Sequence, residues 1–505
     1  MLSKNEFHKF PLLHQSVNIF TLIIYFFIIY NFTIIKGITL LWIFYTIYYF
    51  IMRKLYKMER ISPGDMTFMW NTPEKTFSVL ITLCLDKMDA QAIKNLIIEK
   101  GIKKIQKLRC RLTYNFLEWW WKETSLEEAI SRIEIHNSSN PSRINLKNKE
   151  EFEKWAHEQL ETRFDYTSEL LYKFFILENT DNDSEFKNLL VLKTDHALTD
   201  GVSLMNLICG IADNYDQKLF PATFSKSYNK IYEILSYLLF PFYLIKTIYF
   251  VFLDLRTVKT PFKSNNPING KPKVILSDRV NLDEFMNVRK KLGITFNDLF
   301  VSAISSASRK YIKKHKDTQK VPDHIITVFP VNLKPIPKSV DDIVMTNNSA
   351  GIIMKIKLIE DPIKENYAIA KSLRELLRNF NYVKAGKIIS DLLSDYMPFY
   401  ISKKILMGTY SKVDLTVSNV PGPREAIYYA GCKVLDMVPM FKAGFIQTFI
   451  GINSYLGKFR IIYAMDCSIE EDPNLFISIF ENELRMIKER VDNGELSLDR
   501  VKKDN

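Results

Sequence analysis

The sequence predicts a mixed α/β protein in two halves, and three observations predict it. Short runs rich in β-branched and aliphatic residues recur, at 77–85 (FSVLITLCL), 188–197 (NLLVLKTDHA), 324–333 (HIITVFPVNL) and 351–359 (GIIMKIKLI); runs of this length and composition read as strands. Between them, the stretches 89–105, 201–216, 296–315 and 482–493 carry apolar residues at three- and four-residue spacing, the period of an amphipathic helix. A Pro-, Asn-, Gly- and Lys-rich segment at 259–273 (KTPFKSNNPINGKPK) then marks a linker. It divides the chain into a half at 57–225 and a half at 275–497, connected through 226–274.

Composition limits what the halves can do. At 505 residues the chain has room for about two or three domains and a large core. With 47% hydrophobic and 25% charged residues it is globular. A net charge of +12 suits nucleic acid, an anionic membrane surface or a polyanionic substrate, but the lysines are scattered and charge alone decides nothing; no nucleic-acid partner is expected. The five cysteines, Cys84, Cys110, Cys209, Cys432 and Cys467, include no C-x-x-C pair. No metal site and no redox pair is expected, and a reducing compartment fits.

The N-terminus adds a membrane expectation. From Asn18 to Ile35 the chain reads NIFTLIIYFFIIYNFTII, and after Lys36-Gly37 the apolar run resumes to Met52. A bilayer span takes about 20 apolar residues, so the stretch is one long tilted helix or two short ones hinged at Lys36-Gly37. Lys4 and Lys9 precede it, and Arg53, Lys54, Lys57 and Arg60 follow. Positive charge at both ends favours a hairpin with both flanks cytoplasmic. The run is too long for a cleaved signal peptide, so residues 1–56 are expected to be a retained membrane anchor of one or two transmembrane helices. A second apolar stretch, 231–255, carries Glu233, Pro241 and Lys246; a helix on a membrane interface, or one buried between domains, fits it better than a span. EWWWKE at 118–123 reads as an exposed strand with alternate tryptophans packed inward, with a stacking platform or a membrane-interface anchor as the alternatives.

Candidate chemistry centres on KTDHALTDG at 193–201. It lies where a predicted strand hands over to a predicted helix, a place from which side chains project into a cleft. His196, with an unperturbed pKa near 6.5, can accept a proton at neutral pH. Asp200, at the helix start, can cap free backbone N–H groups or pair with an arginine, and Gly201 lets the backbone bend or approach a neighbour. Spacing alone leaves open an ordinary capped turn carrying a surface histidine. Phosphate-loop and dinucleotide-binding glycine patterns are absent, and HEQLE at 157–161 lacks the second histidine of a zinc protease. Ser203 in GVSLM lacks the closing glycine of a nucleophile elbow. A base without a covalent nucleophile points to direct transfer between two bound substrates.

With these residues in place, the chain resembles the wax ester synthase/diacylglycerol acyltransferases of the bacterial and plant type, within the chloramphenicol acetyltransferase-like superfamily. DHALTDG matches the family's His-His-x-x-x-Asp-Gly motif except that Asp195 stands at the first position. RISPGDMTFMW (60–70) resembles the family's opening Leu-Ser-x-x-Asp segment. TFNDLFVSAISSASRKY (295–311) resembles its Thr-x-Asn-Asp helix, and ITVFPVNLK (326–334) the Pro-Val strand after it. SNVPGPREAIYYAG (418–431) holds its Asn-Val-Pro-Gly-Pro motif intact, and INSYLGKFRIIYAMD (452–466) resembles its closing stretch. The similarity runs over roughly 60–490, with all stretches in family order.

The resemblance implies two chloramphenicol-acetyltransferase-like α/β sandwich domains around a central tunnel. It implies an acyl-CoA-dependent O-acyltransferase that esterifies a long-chain fatty alcohol, diacylglycerol or both, with acyl-CoA as co-substrate and no cofactor. His196 would be the general base, Asp200 an orienting residue, and Gly201 would keep the channel open. Asn297 and Asp298 would lie near the substrate, with a cap at their helix start as the alternative. Asn419 would join them, in a motif whose Pro-Gly-Pro fixes a turn. Membrane lipid would be a partner, and the endoplasmic reticulum membrane, with the catalytic domains in the cytosol, the expected location. Two departures bear on this. Asp195 cannot supply a second imidazole; it would raise the basicity of His196 if close, or face solvent. The family's Pro-Leu-Trp stretch is replaced in FDYTSELLYKF (164–174), which offers Glu169-Leu170-Leu171; the stretch bears on substrate contact or fold, and so on acceptor preference. The alternative reading is a catalytically silent lipid- or acyl-binding membrane protein of the same fold.

Overall fold

In a computed structural model, described residues are 26, 30 and 34–495, except 70–71, 116–117, 138–143, 145, 147, 179–186, 218–229, 257–258, 265, 315–320, 378–379, 397–398 and 470–471. Sixteen strands are described. The first half holds β1 (Met58–Arg60), β2 (Phe77–Leu85), β3 (Cys110–Asn115), β4 (Glu118–Glu123), β5 (Ile133–His136), β6 (Tyr172–Glu178) and β7 (Asn188–Asp195). The second holds β8 (Pro272–Leu276), β9 (Val280–Asn281), β10 (His324–Asn332), β11 (Ser349–Lys357), β12 (Leu415–Pro421), β13 (Tyr428–Tyr429), β14 (Cys432–Ala443), β15 (Thr448–Tyr455) and β16 (Lys458–Asp466).

Two large sheets carry the fold. One runs β13-β14-β2-β7-β6-β5, and the other β11-β10-β12-β15-β16-β8 with β9 on β16; β1, β4 and β3 form a small third sheet. The central strand β7 is buried along its whole length, so its apolar run is continuous where a strand with one solvated face would alternate. The helix after it, Gly201–Ile211, is buried at every position from Ser203 onward, which explains its unrelieved apolar composition.

The halves are not independent. β14, which belongs by sequence to the second half, pairs antiparallel with β2 from Ala443↔Phe77 to Val434↔Leu85 and so completes the first sheet. A strand from within 275–497 is thus part of the sheet built mainly by 57–225. Val438 and Met440 on β14 share one buried cluster with Leu80, Leu189 and Val191 of the first sheet and Val274, Ile462 and Ala464 of the second. A strand that completes the other half's sheet while packing on its own locks the halves at a fixed register.

The apolar segments behave differently. Among the described residues no helix is long and apolar enough to cross a membrane, so the expected anchor is not met there; most of 18–33 and the flanking Lys4 and Lys9 lie outside them. The helix Ile34–Lys54 contains Lys36 and Gly37 and ends in Arg53-Lys54. Its last turns pack on the small sheet: Met52 clusters with Met58 and Trp120, and the Tyr48 ring meets Trp120 edge-on at 5.6 Å. This also corrects the expectation for 118–123. Trp119 and Trp121 enter the core of the first half, and Trp120 is equally buried on the opposite face, under this helix. The second apolar stretch forms the helix Lys230–Tyr249, with Pro241 inside it, followed by a wider turn at Phe250–Asp254. One side packs toward β11 through Tyr243, and the other leaves Leu238, Phe242 and Ile245 in solvent.

Candidate active site

The loop from Asp195 to Asp200 sits between β7 and the helix Gly201–Ile211, and both of its carboxylates are tied down. The His196 backbone N–H donates to the Phe77 carbonyl at 2.9 Å, an extension of the β2–β7 ladder that fixes where the ring projects. Asp200 is the N-cap, its Oδ1 accepting from Ser203 N at 2.9 Å. Its Oδ2 accepts from Asn348 N at 3.0 Å and pairs with Lys334 Nζ at 3.1 Å. Lys334 also donates to Ser203 Oγ and the Thr346 carbonyl. A buried carboxylate needs this density of donors to remain charged; the partner is a lysine from the second half, not an arginine.

The His196 ring lies flat against Phe68 (centroids 4.0 Å apart, planes at 23°) with Phe77 edge-on at 6.2 Å. Burial against these rings lowers its pKa below the usual histidine value, with nearby Asp200 acting in the opposite sense. The ring is thus neutral at pH 7, the form that accepts a proton. Its Nδ1 is sealed from solvent without a hydrogen-bond partner, which leaves Nε2 as the nitrogen a substrate can reach.

Asp195 neither faces solvent nor ranks among the charges acting on His196. It is fully buried, Oδ1 accepting from Ala197 N at 2.8 Å and Oδ2 from the Tyr166 hydroxyl at 3.3 Å. Burial pushes its carboxyl up to about 7, despite those donors and the positive charges of Lys193 and Lys442. Tyr166 comes from the stretch that departs from the family pattern, so the two departures touch each other. The rest of that stretch braces β7: the Leu171 carbonyl accepts from Asp195 N at 3.0 Å, and Glu169 bonds Arg132 at 3.3 Å.

The other expected residues fall into two groups. Asn419 Nδ2 donates to Asn297 Oδ1 at 2.8 Å, joining the Asn-Asp and Asn-Val-Pro-Gly-Pro motifs. Asp298 exchanges hydrogen bonds with Thr295 at 2.9 and 3.1 Å, so its carboxylate takes the capping alternative. Gly201 needs no unusual backbone angle, and a Cβ there would meet Val420 at an ordinary 3.7 Å. Gly422, by contrast, backs directly onto the Ser454 carbonyl, leaving no room for any side chain.

Four neighbours were not among the expected site residues. Asp65 and Lys334 stand inside the family-like stretches 60–70 and 326–334, and their burial gives them roles that motif position alone does not assign. Asn347 carries no sequence signal; it arrives from the second half and donates through Nδ2 to the His196 carbonyl at 2.7 Å. Lys403, from the helix Phe399–Tyr410, donates to the carbonyls of Met66 (2.8 Å) and Thr67 (2.6 Å) and is held well below the usual lysine pKa by burial. Among the described residues no cluster could hold a metal ion.

The two interlocked α/β sheets match the fold of solved two-domain acyltransferase structures. The wax ester synthase/diacylglycerol acyltransferase from Marinobacter aquaeolei has this fold, with a TM-score of 0.55 over 85% of this chain and 99% of that one at 15% identity. Residues 345–488 match the model of the WS/DGAT C-terminal domain. The O-acyltransferase WSD of Acinetobacter baylyi is 27% identical over 186 residues, 36% of this chain and 39% of that protein, less than half of its length. Wax ester synthase/diacylglycerol acyltransferase 5 of Arabidopsis thaliana is 23% identical over 369 residues, 64% of this chain and 72% of that one. The chain is thus similar to wax ester synthase/diacylglycerol acyltransferases over part of its length, and its residues 345–488 match their C-terminal domain.

Proposed function

We propose that this chain is an acyl-CoA-dependent O-acyltransferase that esterifies a lipophilic alcohol, a long-chain fatty alcohol, diacylglycerol or both. The observation that carries the reading is a neutral, mostly enclosed His196 with Nε2 accessible, on a loop tied from both halves. Nε2 takes the hydroxyl proton as the alcohol oxygen bonds to the thioester carbonyl carbon. The C–S bond of the resulting tetrahedral adduct then breaks, and the imidazolium returns the proton to the leaving CoA sulfur. A thioester is already activated, so positioning and proton transfer suffice without a covalent enzyme intermediate. Asp200 and Lys334 orient the loop, and the Asn297–Asn419 pair supplies amide N–H groups for the oxyanion.

The exposed apolar faces of the helices Ile34–Lys54 and Lys230–Tyr249 support a membrane association through which the alcohol arrives, with the endoplasmic reticulum as location and the site on its cytosolic side. Expression in a host that makes no neutral lipid, with and without added alcohols, tests the acceptor. Triacylglycerol without supplement identifies diacylglycerol; ester only with alcohol identifies a wax ester synthase. His196→Ala is expected to lower ester formation from labelled acyl-CoA by at least about 100-fold. Unchanged turnover removes His196 from the mechanism, and no ester from wild type with any alcohol favours the silent lipid-binding alternative.

A further inference from the structure

We infer that Asn347, held by Asp65, is a positioning residue for the base: its Oδ1 takes the hydrogen of His196 Nδ1 and so keeps Nε2 unprotonated toward the substrate. The inference rests on reading His196 as the base, and its main carrier is the orientation of one amide. Asn347 is buried, and its Nδ2 donates to Asp65 Oδ1 at 2.9 Å and to the His196 carbonyl at 2.7 Å. Both partners are acceptors, so the nitrogen must face them and Oδ1 must face away. That Oδ1 and His196 Nδ1 are each buried without a hydrogen-bond partner. Two such orphans on side chains already joined through the His196 carbonyl are satisfied together if the ring turns Nδ1–H toward Oδ1. The histidine's own carbonyl, and after it the Asn347 side chain, oppose the burial that lowers its proton affinity, as acceptors at a ring N–H do.

Asp65 makes the arrangement rigid. Its Oδ1 also accepts from Asn347 N at 2.7 Å, and its Oδ2 pairs with Lys107 at 2.7 Å. Gly64 beside it lies so close to the Asn347 carbonyl that no side chain fits. The opening Ser-Pro-Gly-Asp thus serves as a socket for a residue from the other half, and a base oriented by a second group that a third holds is the usual logic of an activated site. The charged groups around the ring are Asp200 and Asp65, each with its own cation, Lys334 and Lys107.

The test uses the full chain and reads His196 directly, through its rate of carbethoxylation by diethyl pyrocarbonate against pH, followed on its own peptide by mass spectrometry. In Asn347→Ala the midpoint of that curve is expected to fall, and kcat to drop about 10- to 100-fold with KM for acyl-CoA little changed. In Asn347→Asp, which gives up the Nδ2 donations but places a carboxylate at Nδ1, the midpoint and the acid limb of kcat/KM are expected to rise by about one pH unit. Melting curves confirm folding; Asn347→Ser serves the first arm if the alanine variant does not fold. A midpoint unmoved in folded variants overturns the inference. The modification arm needs no activity, so it stands even if His196→Ala shows that the histidine is not the base.

Discussion

Two regions of this molecule treat their buried surface in opposite ways. In the loop Asp195–Asp200 polar groups are enclosed and tied: Asp200 has a lysine and two backbone N–H donors, Asp195 a tyrosine and a backbone N–H. The helices Ile34–Lys54 and Lys230–Tyr249 do the reverse, holding Trp42, Phe50, Leu238 and Phe242 more than half exposed. Enclosed polar groups with partners fix geometry, because every alternative leaves one of them unsatisfied. Exposed apolar rows fix nothing within the chain and mark a surface that something else covers. The proposed chemistry lies in the first region and the proposed lipid contact in the second.

The largest effect is expected at the Asp200–Lys334 pair. Lys334→Met leaves a buried carboxylate with its ion partner gone, a change that costs about 3–5 kcal/mol. Chemical denaturation should show that loss, and ester formation should collapse with it. Asp200→Asn/Lys334→Met should recover much of the stability but not the activity; full recovery of both would mean the pair is structural only. Next, Leu238→Gln/Phe242→Gln/Ile245→Gln removes apolar surface worth about 1.5–3 kcal/mol per side chain when fully buried. Flotation with anionic vesicles should fall by at least about tenfold, with the melting temperature little changed. An unchanged vesicle affinity would dissolve the contrast between the two regions.

The smallest effect is expected at Asp195. Its folded pKa, near 7, lies above an unfolded value near 3.8, so its contribution to stability is complete below the unfolded value and is lost as pH rises through the folded one. Between pH 4 and 7 the melting temperature should therefore decline in part because of this group. Asp195→Asn, which can still accept from Ala197 N, should flatten that slope. Tyr166, Lys193, Lys403 and Lys442 surround the carboxyl; lysines held below their usual pKa make stability rise with pH, so the same decline in the variant would remove Asp195 as its cause.

Much of this was legible in the chain. The strand ends at 77–85 fell on β2 residue for residue, because β-branched runs bounded by turns leave little choice. The His196 loop was placed correctly between strand and helix, and Asp200 at the N-cap, since both follow from local backbone chemistry. What was not legible depends on residues far apart. The three tryptophans looked alternating because nothing in 118–123 says that a helix 70 residues earlier covers the second face. The partner of Asp195 is 29 residues away and that of Asp200 in the ion pair is in the other half.

Taken alone, the sequence determined the α/β class, several strands and helices, the candidate base and its cap, and through its motif order a family resemblance. These are set by periodicity, capping chemistry and turn residues, which act over a few positions. Tertiary structure decided that β14 completes the other half's sheet, that Asp195 is sealed under Tyr166, and that Asn347 reaches the histidine from the far half. Each is a contact across tens to hundreds of residues, chosen by which buried polar groups and apolar faces can be satisfied together. No local pattern carries that information, because only the packed chain brings the partners within hydrogen-bond reach.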